Sequence, residues 1–295
     1  ELIVMSMQAL LNNGDEVLIP APDYPLWTAA VSLAGGKPVH YLCDEQANWW
    51  PDLADIKAKI TPNTKALVLI NPNNPTGNVA TESEIKEVLE IAKKWPNCTI
   101  IADEIYDGLD FSGGQKSIAS LSSDVPVVTL NGVSKVHFAP GWRIGYMAFH
   151  DPNGKMHAPR DGVERLLRSR LCASTPAQHG YLAALQQDRT WLSERVAKIK
   201  RRVDLCLNRI HEIDGLSCNS PGGAFYLFPK IENAGKFKSD KNFVLDLLHK
   251  EHVLVVHGSG FSPLHGSGHF RMVALAPEEI LNEAFDRIER FMRSV

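Results

Sequence analysis

Cysteine is the first scarcity: five in 295 residues, at positions 43, 98, 172, 206 and 218. They are odd in number and far apart. No Cys-x-x-Cys pair or Cys/His cluster occurs, so neither a disulfide framework nor a structural zinc site is expected, and no metal is assigned. Charge of one sign is also lacking. With 31 basic and 34 acidic residues the net charge is only -3, which gives no reason to expect nucleic acid or an anionic membrane as partner. No apolar run is long enough to span a bilayer. The opening stretch, ELIVMSMQALL, has no basic leader and no cleavage pattern. A cytoplasmic location is the expectation. That opening also lacks an N-cap or preceding strand; it reads as a helix already under way, and a preceding segment is expected. Internal repeats and low-complexity tracts are missing too.

What remains is 44% apolar and 22% charged, enough for a substantial core in one to three domains. Apolar β-type runs recur at Glu16–Ala21, Lys37–Leu42, Lys65–Ile70, Cys98–Ala102 and Val125–Leu130. Helical segments separate them: residues 1–12, Leu26–Ala34, a short helix before Ile60, and Thr81 to about Trp95, where Thr81 and Glu84 form a reciprocal capping pair. Strands with little polar alternation, interleaved with helices, predict an α/β fold with a mostly parallel sheet covered on both faces. Further on, Arg160–Arg170 is helical. A long helix is expected from Pro176 to about Ile210, its basic residues a solvated face. After Asp214-Gly215 come short strands at Ala224–Pro229, Val253–His257 and His269–Leu275, with helices at Ser239–Lys250 and Pro277–Met292. This divides the chain into a large α/β domain (1–175), a connecting helix (176–211) and a small α+β domain (212–295).

Polar residues stand where the apolar runs stop: Asn74, Asp103 and Lys135. In an open α/β sheet the carboxyl edge of the strands is the ligand-binding edge, so a shared edge would gather them. Residues 127–149 are the centre of this reading. One run ends in Asn131-Gly132, Lys135 follows, and Arg143 comes just after Pro140-Gly141 where the next run begins. A lysine held there can serve as an amine nucleophile if its site lowers its pKa. A nearby arginine can hold a phosphate dianion. Asp103 follows a buried strand, where a carboxylate needs a partner; a protonated pyridine nitrogen is a good one. Tyr106 and Asn74 could bond a phenolate oxygen on such a ring, and Tyr24 could pack on its face. Arg271, between apolar neighbours in a strand, needs an anion if it faces inward, and a substrate carboxylate would serve. Singly, each residue also has an ordinary role: helix cap, satisfied core tyrosine, turn former or edge-strand arginine.

Together the motifs resemble a known family. Asn74-Pro75-Thr76-Gly77, Asp103-Glu104-Ile105-Tyr106, and Ser134-Lys135 followed by Pro140-Gly141-Trp142-Arg143-Ile144-Gly145 match, in order, the class I/II aminotransferases, pyridoxal-phosphate enzymes of fold type I. The resemblance covers essentially the whole chain. It implies that Lys135 bonds the cofactor as an internal aldimine, and that Asp103 pairs with the pyridine nitrogen. Tyr106 and Asn74 would surround the ring hydroxyl, with Tyr24 stacked on the ring. Ser134 and Arg143 would bind phosphate, and Arg271 the substrate α-carboxylate. Many relatives have a serine three residues before the lysine; here that place is Gly132, a departure in the phosphate contact.

The runs PAPDYPLWTAAVSLAGGKPVHYLCDE, INPNNPTG and RLCASTPAQHG are most similar to bacterial alanine aminotransferases, which implies glutamate–pyruvate transamination. Aspartate, aromatic or branched-chain specificity, a β-lyase on the same cofactor, and a non-enzymatic relative are the alternatives. The family pattern implies small amino-acid and 2-oxo-acid substrates and a homodimer. It also implies roughly 100 preceding residues, ending in a phosphate loop at the N-terminus of the first helix.

Overall fold

The computed structural model describes residues 1–95 and 97–294. Helix α1 (Leu2–Leu10) leads into strand β1 (Glu16–Ala21), helix α2 (Leu26–Leu33) and strand β2 (Lys37–Asp44). A short strand β3 (Trp50–Pro51) and helix α3 (Leu53–Lys59) precede β4 (Thr64–Ile70). Then come α4 (Glu82–Ala92), β5 (Thr99–Asp103), α5 (Ile118–Leu121), β6 (Val127–Gly132) and β7 (Gly145–His150). The expected capping box opens α4, with the Thr81 and Glu84 side chains each bonding the other's backbone N–H.

These strands form one seven-stranded sheet in the order β3-β2-β1-β4-β5-β6-β7. The pairs β1–β2, β1–β4, β4–β5 and β5–β6 are parallel; β3 and β7 run antiparallel to their neighbours at the edges. The period-2 geometry of strands sorts the apolar residues to two faces. Val17, Ile19, Ala66, Val68, Ile101, Val128 and Leu130 join the core under α1 and α2. Leu18, Leu67, Leu69, Ile100, Ala102 and Val127 join the core under α3 and α4. Burial on both faces explains why these strands read as unbroken apolar runs.

The chain leaves the sheet through α6 (His157–Arg170), α7 (Thr175–Gln186) and α8 (Thr190–Glu212). The sequence predicts one helix from Pro176 to about Ile210; there are two. Between them the Asp188 carboxylate accepts the Thr190 backbone N–H at 3.0 Å and its hydroxyl, so Asp188 starts a new helix rather than continuing the old one. Arg189 meanwhile reaches Asp107 at 2.9 Å.

The C-terminal region contains β8 (Leu216–Ser217), β9 (Tyr226–Leu227), β10 (Lys230–Ile231), α9 (Asp240–Glu251), β11 (Val256–His257), β12 (Phe270–Val273) and α10 (Glu278–Arg293). Strands β11, β12 and β9 make an antiparallel sheet of three, and β8 pairs with β10. The strands are shorter than the sequence predicts; beyond them the flanking residues keep single bonds, such as Ala274 N to Phe225 O and Phe270 N to Pro229 O, while Ala224 N turns away to Leu109 O. Its core, with Phe243, Phe270, Phe285 and Phe291, is shared with α8 through Val203, Cys206 and Ile210. Among the described residues no helix is long and apolar enough to cross a membrane.

Candidate active site

The strand order reverses at β1: the chain goes outward to β2, then returns to the other side of β1 for β4. A crevice at the carboxyl ends of the strands is expected at such a reversal. A cleft of about 800 Å³ lies there, and Tyr24, Asn74, Asp103, Tyr106, Ser134, Lys135, Arg143 and Arg271 all line it. The topology accounts for this gathering. Tyr24 follows β1, Asn74 follows β4, Asp103 ends β5, and Ser134 and Lys135 follow β6. Because β7 is antiparallel, its first residue Gly145 pairs with the last of β6, Gly132, so Arg143 arrives at the same rim from the opposite direction.

Lys135 sits in a turn pinned by buried Val133 and Val136 on either side. The turn is closed by hydrogen bonds from Phe138 N to Lys135 O and from Ala139 N to Val133 O, each 3.2 Å. Its Nζ is 6.0 Å from the centre of the Tyr106 ring and 5.9 Å from that of Phe225. Burial lowers the amine's pKa, and the charges of Arg271 and Arg143 lower it further. The shift moves the amine towards its neutral, nucleophilic form.

Asp103 is buried at the floor of the cleft. Its Oδ2 accepts the Trp27 indole N–H and its Oδ1 the Ile105 backbone N–H, both at 3.3 Å. No cation pairs with it among the described residues. Burial pushes its carboxyl up to about 6. A cationic group entering the cleft beside it would reverse that cost.

Tyr106 is buried, and its hydroxyl lies 2.7 Å from the Tyr226 hydroxyl. Asn74 is also buried. Its Oδ1 accepts a 2.8 Å bond from Arg271 Nη1, which leaves the amide Nδ2 to donate elsewhere. The Arg271 guanidinium lies 4.8 Å from the centres of the Tyr226 and Phe261 rings, and its buried Nε has no hydrogen-bond partner. A buried guanidinium donor without an acceptor is costly unless a ligand supplies one. Arg143 has left-handed backbone angles, φ 51° and ψ 47°, and its Nη1 donates to Pro140 O at 2.7 Å. Tyr24 is 40% exposed, so one side of its ring is free to meet a ligand.

Gly132, the departure noted above, is explained by its neighbours. A Cβ there would stand 2.9 Å from Ile144 O and 3.2 Å from Gly145 Cα. Any side chain would force β6 away from the entry to β7. Two site residues were not anticipated from sequence. Trp27 bonds Asp103 across 76 positions, and Tyr226 bonds Tyr106 across 120. The Pro221-Gly222-Gly223 turn before an aromatic strand was the one available signal for Tyr226.

A buried acid without a cation, an amine of lowered pKa and a buried guanidinium with an open Nε make a cleft suited to a ligand that carries both a cationic and an anionic group. Comparison with known proteins agrees. The chain belongs to the family described as aminotransferase class I and II, whose sequence profile matches residues 1–288. Glutamate-pyruvate aminotransferase AlaA of Haemophilus influenzae is 47% identical over 99% of this chain and 73% of its own length. AlaA of Escherichia coli is 45% identical, with the same shares covered. The solved alanine aminotransferase of Pyrococcus furiosus superposes with a TM-score of 0.96 at 49% identity, over 100% of this chain and 74% of that one. Enzymes of this family use pyridoxal phosphate, and the unpaired Asp103 carboxylate and the open Arg271 Nε fit that cofactor with its amino-acid substrate.

Proposed function

We propose that this chain carries the machinery for transamination between L-alanine and 2-oxoglutarate, giving pyruvate and L-glutamate with pyridoxal phosphate held at Lys135. The observation that carries this reading is the convergence of Lys135, Asp103, Arg143 and Arg271 on one cleft. The choice of alanine draws on the names of the relatives that this chain resembles.

When bound, the cofactor supplies an aldehyde that bonds an amine and a ring that accepts the electron pair left by a broken Cα–H bond. The chain supplies the rest. Lys135 would hold the cofactor through its amine and, when that amine is free, would serve as the base that takes the proton from substrate Cα and returns it to the carbon on the far side of the nitrogen. The Asp103 carboxylate, held in place by Trp27 and the Ile105 N–H, would keep the ring nitrogen protonated. Tyr106 and the free Nδ2 of Asn74 donate to the ring oxygen. Tyr24 covers the ring face, while Ser134 and Arg143 take the phosphate. Arg271, held from the side by Asn74, fixes the substrate α-carboxylate so that Cα–H faces Lys135.

The test is a panel of amino donors offered with pyruvate and with 2-oxoglutarate. Alanine with 2-oxoglutarate should give the highest kcat/KM. A preference for aspartate, aromatic or branched-chain donors would reassign the specificity and leave the chemistry intact. Release of ammonia and pyruvate from a cysteine conjugate without an acceptor would indicate a lyase.

The same reading makes the working unit a cytoplasmic homodimer. Trp142, which lies against Gly180 of α7, is half exposed, as are Leu182 and Leu185 on that helix. Apolar side chains of this size are covered by a second copy in this proposal. A monomer in sedimentation at micromolar concentration would contradict it.

A further inference from the structure

Tyr226 touches both halves of the site. It lies on β9, where it pairs with Val273 of β12. Arg271 is two residues from Val273, so it is the diagonal neighbour of Tyr226 on the same face of the sheet, within reach of a long side chain. The result is the 4.8 Å approach of the guanidinium to the Tyr226 ring. Phe261 takes the other contact at the same distance without any hydroxyl. A phenyl ring is therefore sufficient to hold Arg271. The Tyr226 oxygen needs another explanation, since burying a hydroxyl costs free energy unless it is bonded. Its partner is the Tyr106 hydroxyl at 2.7 Å.

The backbone before Tyr226 is fixed to the large sheet's loops. Gly222 and Gly223 N–H groups both donate to Gly77 O, at 2.9 and 3.0 Å, and Ala224 N–H donates to Leu109 O at 2.8 Å. A Cβ on Gly223 would stand 2.6 Å from Leu109 O, so this approach is open only to glycine. Tyr226 is thus held by the loop after β4 and the segment after Tyr106, the same parts that carry Asn74 and Tyr106.

We propose that Tyr226 is a positioning residue that ties the cofactor side of the site to the substrate side, its hydroxyl orienting that of Tyr106 and its ring seating Arg271. This rests on the pyridoxal-phosphate reading above. In that reading the Tyr106 O–H donates a hydrogen bond to the cofactor's ring oxygen, so within the tyrosine pair Tyr226 is the donor. That donation makes Tyr106 a stronger donor in turn. Removing it leaves the ring oxygen more basic, and the proton shared between that oxygen and the lysine-bound nitrogen is held more tightly.

The experiment compares Tyr226→Phe and Tyr226→Leu with the unmodified protein, each supplied with pyridoxal phosphate. The pH midpoint of the lysine-bound cofactor's visible absorbance and the KM values are measured. Tyr226→Phe should raise the midpoint by about half a pH unit, with KM for alanine and 2-oxoglutarate within about twofold of the unmodified value. Tyr226→Leu should raise the midpoint similarly and also raise both KM values about fivefold. A midpoint unmoved in Tyr226→Phe overturns the hydroxyl's role, and KM values unmoved in Tyr226→Leu overturn the ring's role. If the unmodified, folded protein shows no lysine-dependent band, the pyridoxal-phosphate reading and this inference both fall. A normal band that ignores the substitutions overturns this inference alone.

Discussion

Asp103 and Lys135 leave strands of five and six residues inside a seven-stranded sheet packed on both faces. Arg271 lies within a strand of four residues whose partner β9 has only two. The first pair is positioned by the fold itself, since any parallel sheet with this strand order brings those ends together. Arg271 is positioned by a few side-chain and loop contacts: Asn74, the Tyr226 and Phe261 rings, and the glycine suture to Gly77. The rim therefore holds the reacting groups rigidly, whereas the substrate clamp hangs on contacts that single substitutions can loosen. Damage at the rim should fall on the chemical step, and damage at the clamp on substrate binding.

The largest effect should follow removal of the amine. Lys135→Ala should lower kcat by about 10⁴-fold or more while some cofactor binding survives, measured by turnover and by equilibrium dialysis. Near-normal turnover in that variant would break the contrast at its rim side.

Next comes the clamp. Arg271→Lys keeps the charge but loses the planar fork, so KM for amino- and oxo-acid substrates should rise about 100-fold, with kcat changing less. An effect confined to kcat would place Arg271 with the reacting groups instead.

A smaller effect separates stability from chemistry at the rim. Burial raises the Asp103 carboxyl from 3.8 to about 6, so the folded, cofactor-free chain binds that proton more tightly than the unfolded one. Its contribution is fully favourable below pH 3.8 and is lost as pH rises through about 6. Asp103→Asn should therefore stabilise the cofactor-free protein by about 2–3 kcal/mol at neutral pH and by little in acid, while impairing turnover. Denaturant melts at both pH values would check this. Equal gains at both would remove the unpaired carboxylate as the cause.

The smallest concerns the join of β6 and β7. Gly132→Ser should cost about 1–3 kcal/mol, because its Cβ meets backbone rather than a movable side chain. A neutral substitution in a denaturant melt would show that the edge strand adapts.

The same contrast explains what could be read in advance. Parallel strands buried on both faces announce themselves as apolar runs, and the polar residue that ends each run falls at the rim. Asn74, Asp103 and Lys135 could be placed at the rim for that reason, Arg143 from its position where the next run begins, and Arg271 from its apolar strand neighbours. Trp27 and Tyr226 were not legible as site residues. Their partners lie far along the chain, and a buried tryptophan or tyrosine has the same sequence pattern whether or not its polar atom holds something. The break between α7 and α8 was hidden because Asp188-Arg189-Thr190 fits a helical pattern until the bonds from Thr190 to the Asp188 carboxylate are considered. The two-residue strands of the C-terminal region were overestimated, since apolar residues that keep only single bonds to the neighbouring strand look like strand continuation.

Borohydride reduction of the folded, pyridoxal-phosphate-supplied protein, followed by peptide mass mapping, tests the central claim most directly. Loss of the visible band with the reduced cofactor fixed on Lys135 is the predicted result. A cofactor fixed on another lysine, or no lysine adduct at all, would contradict it.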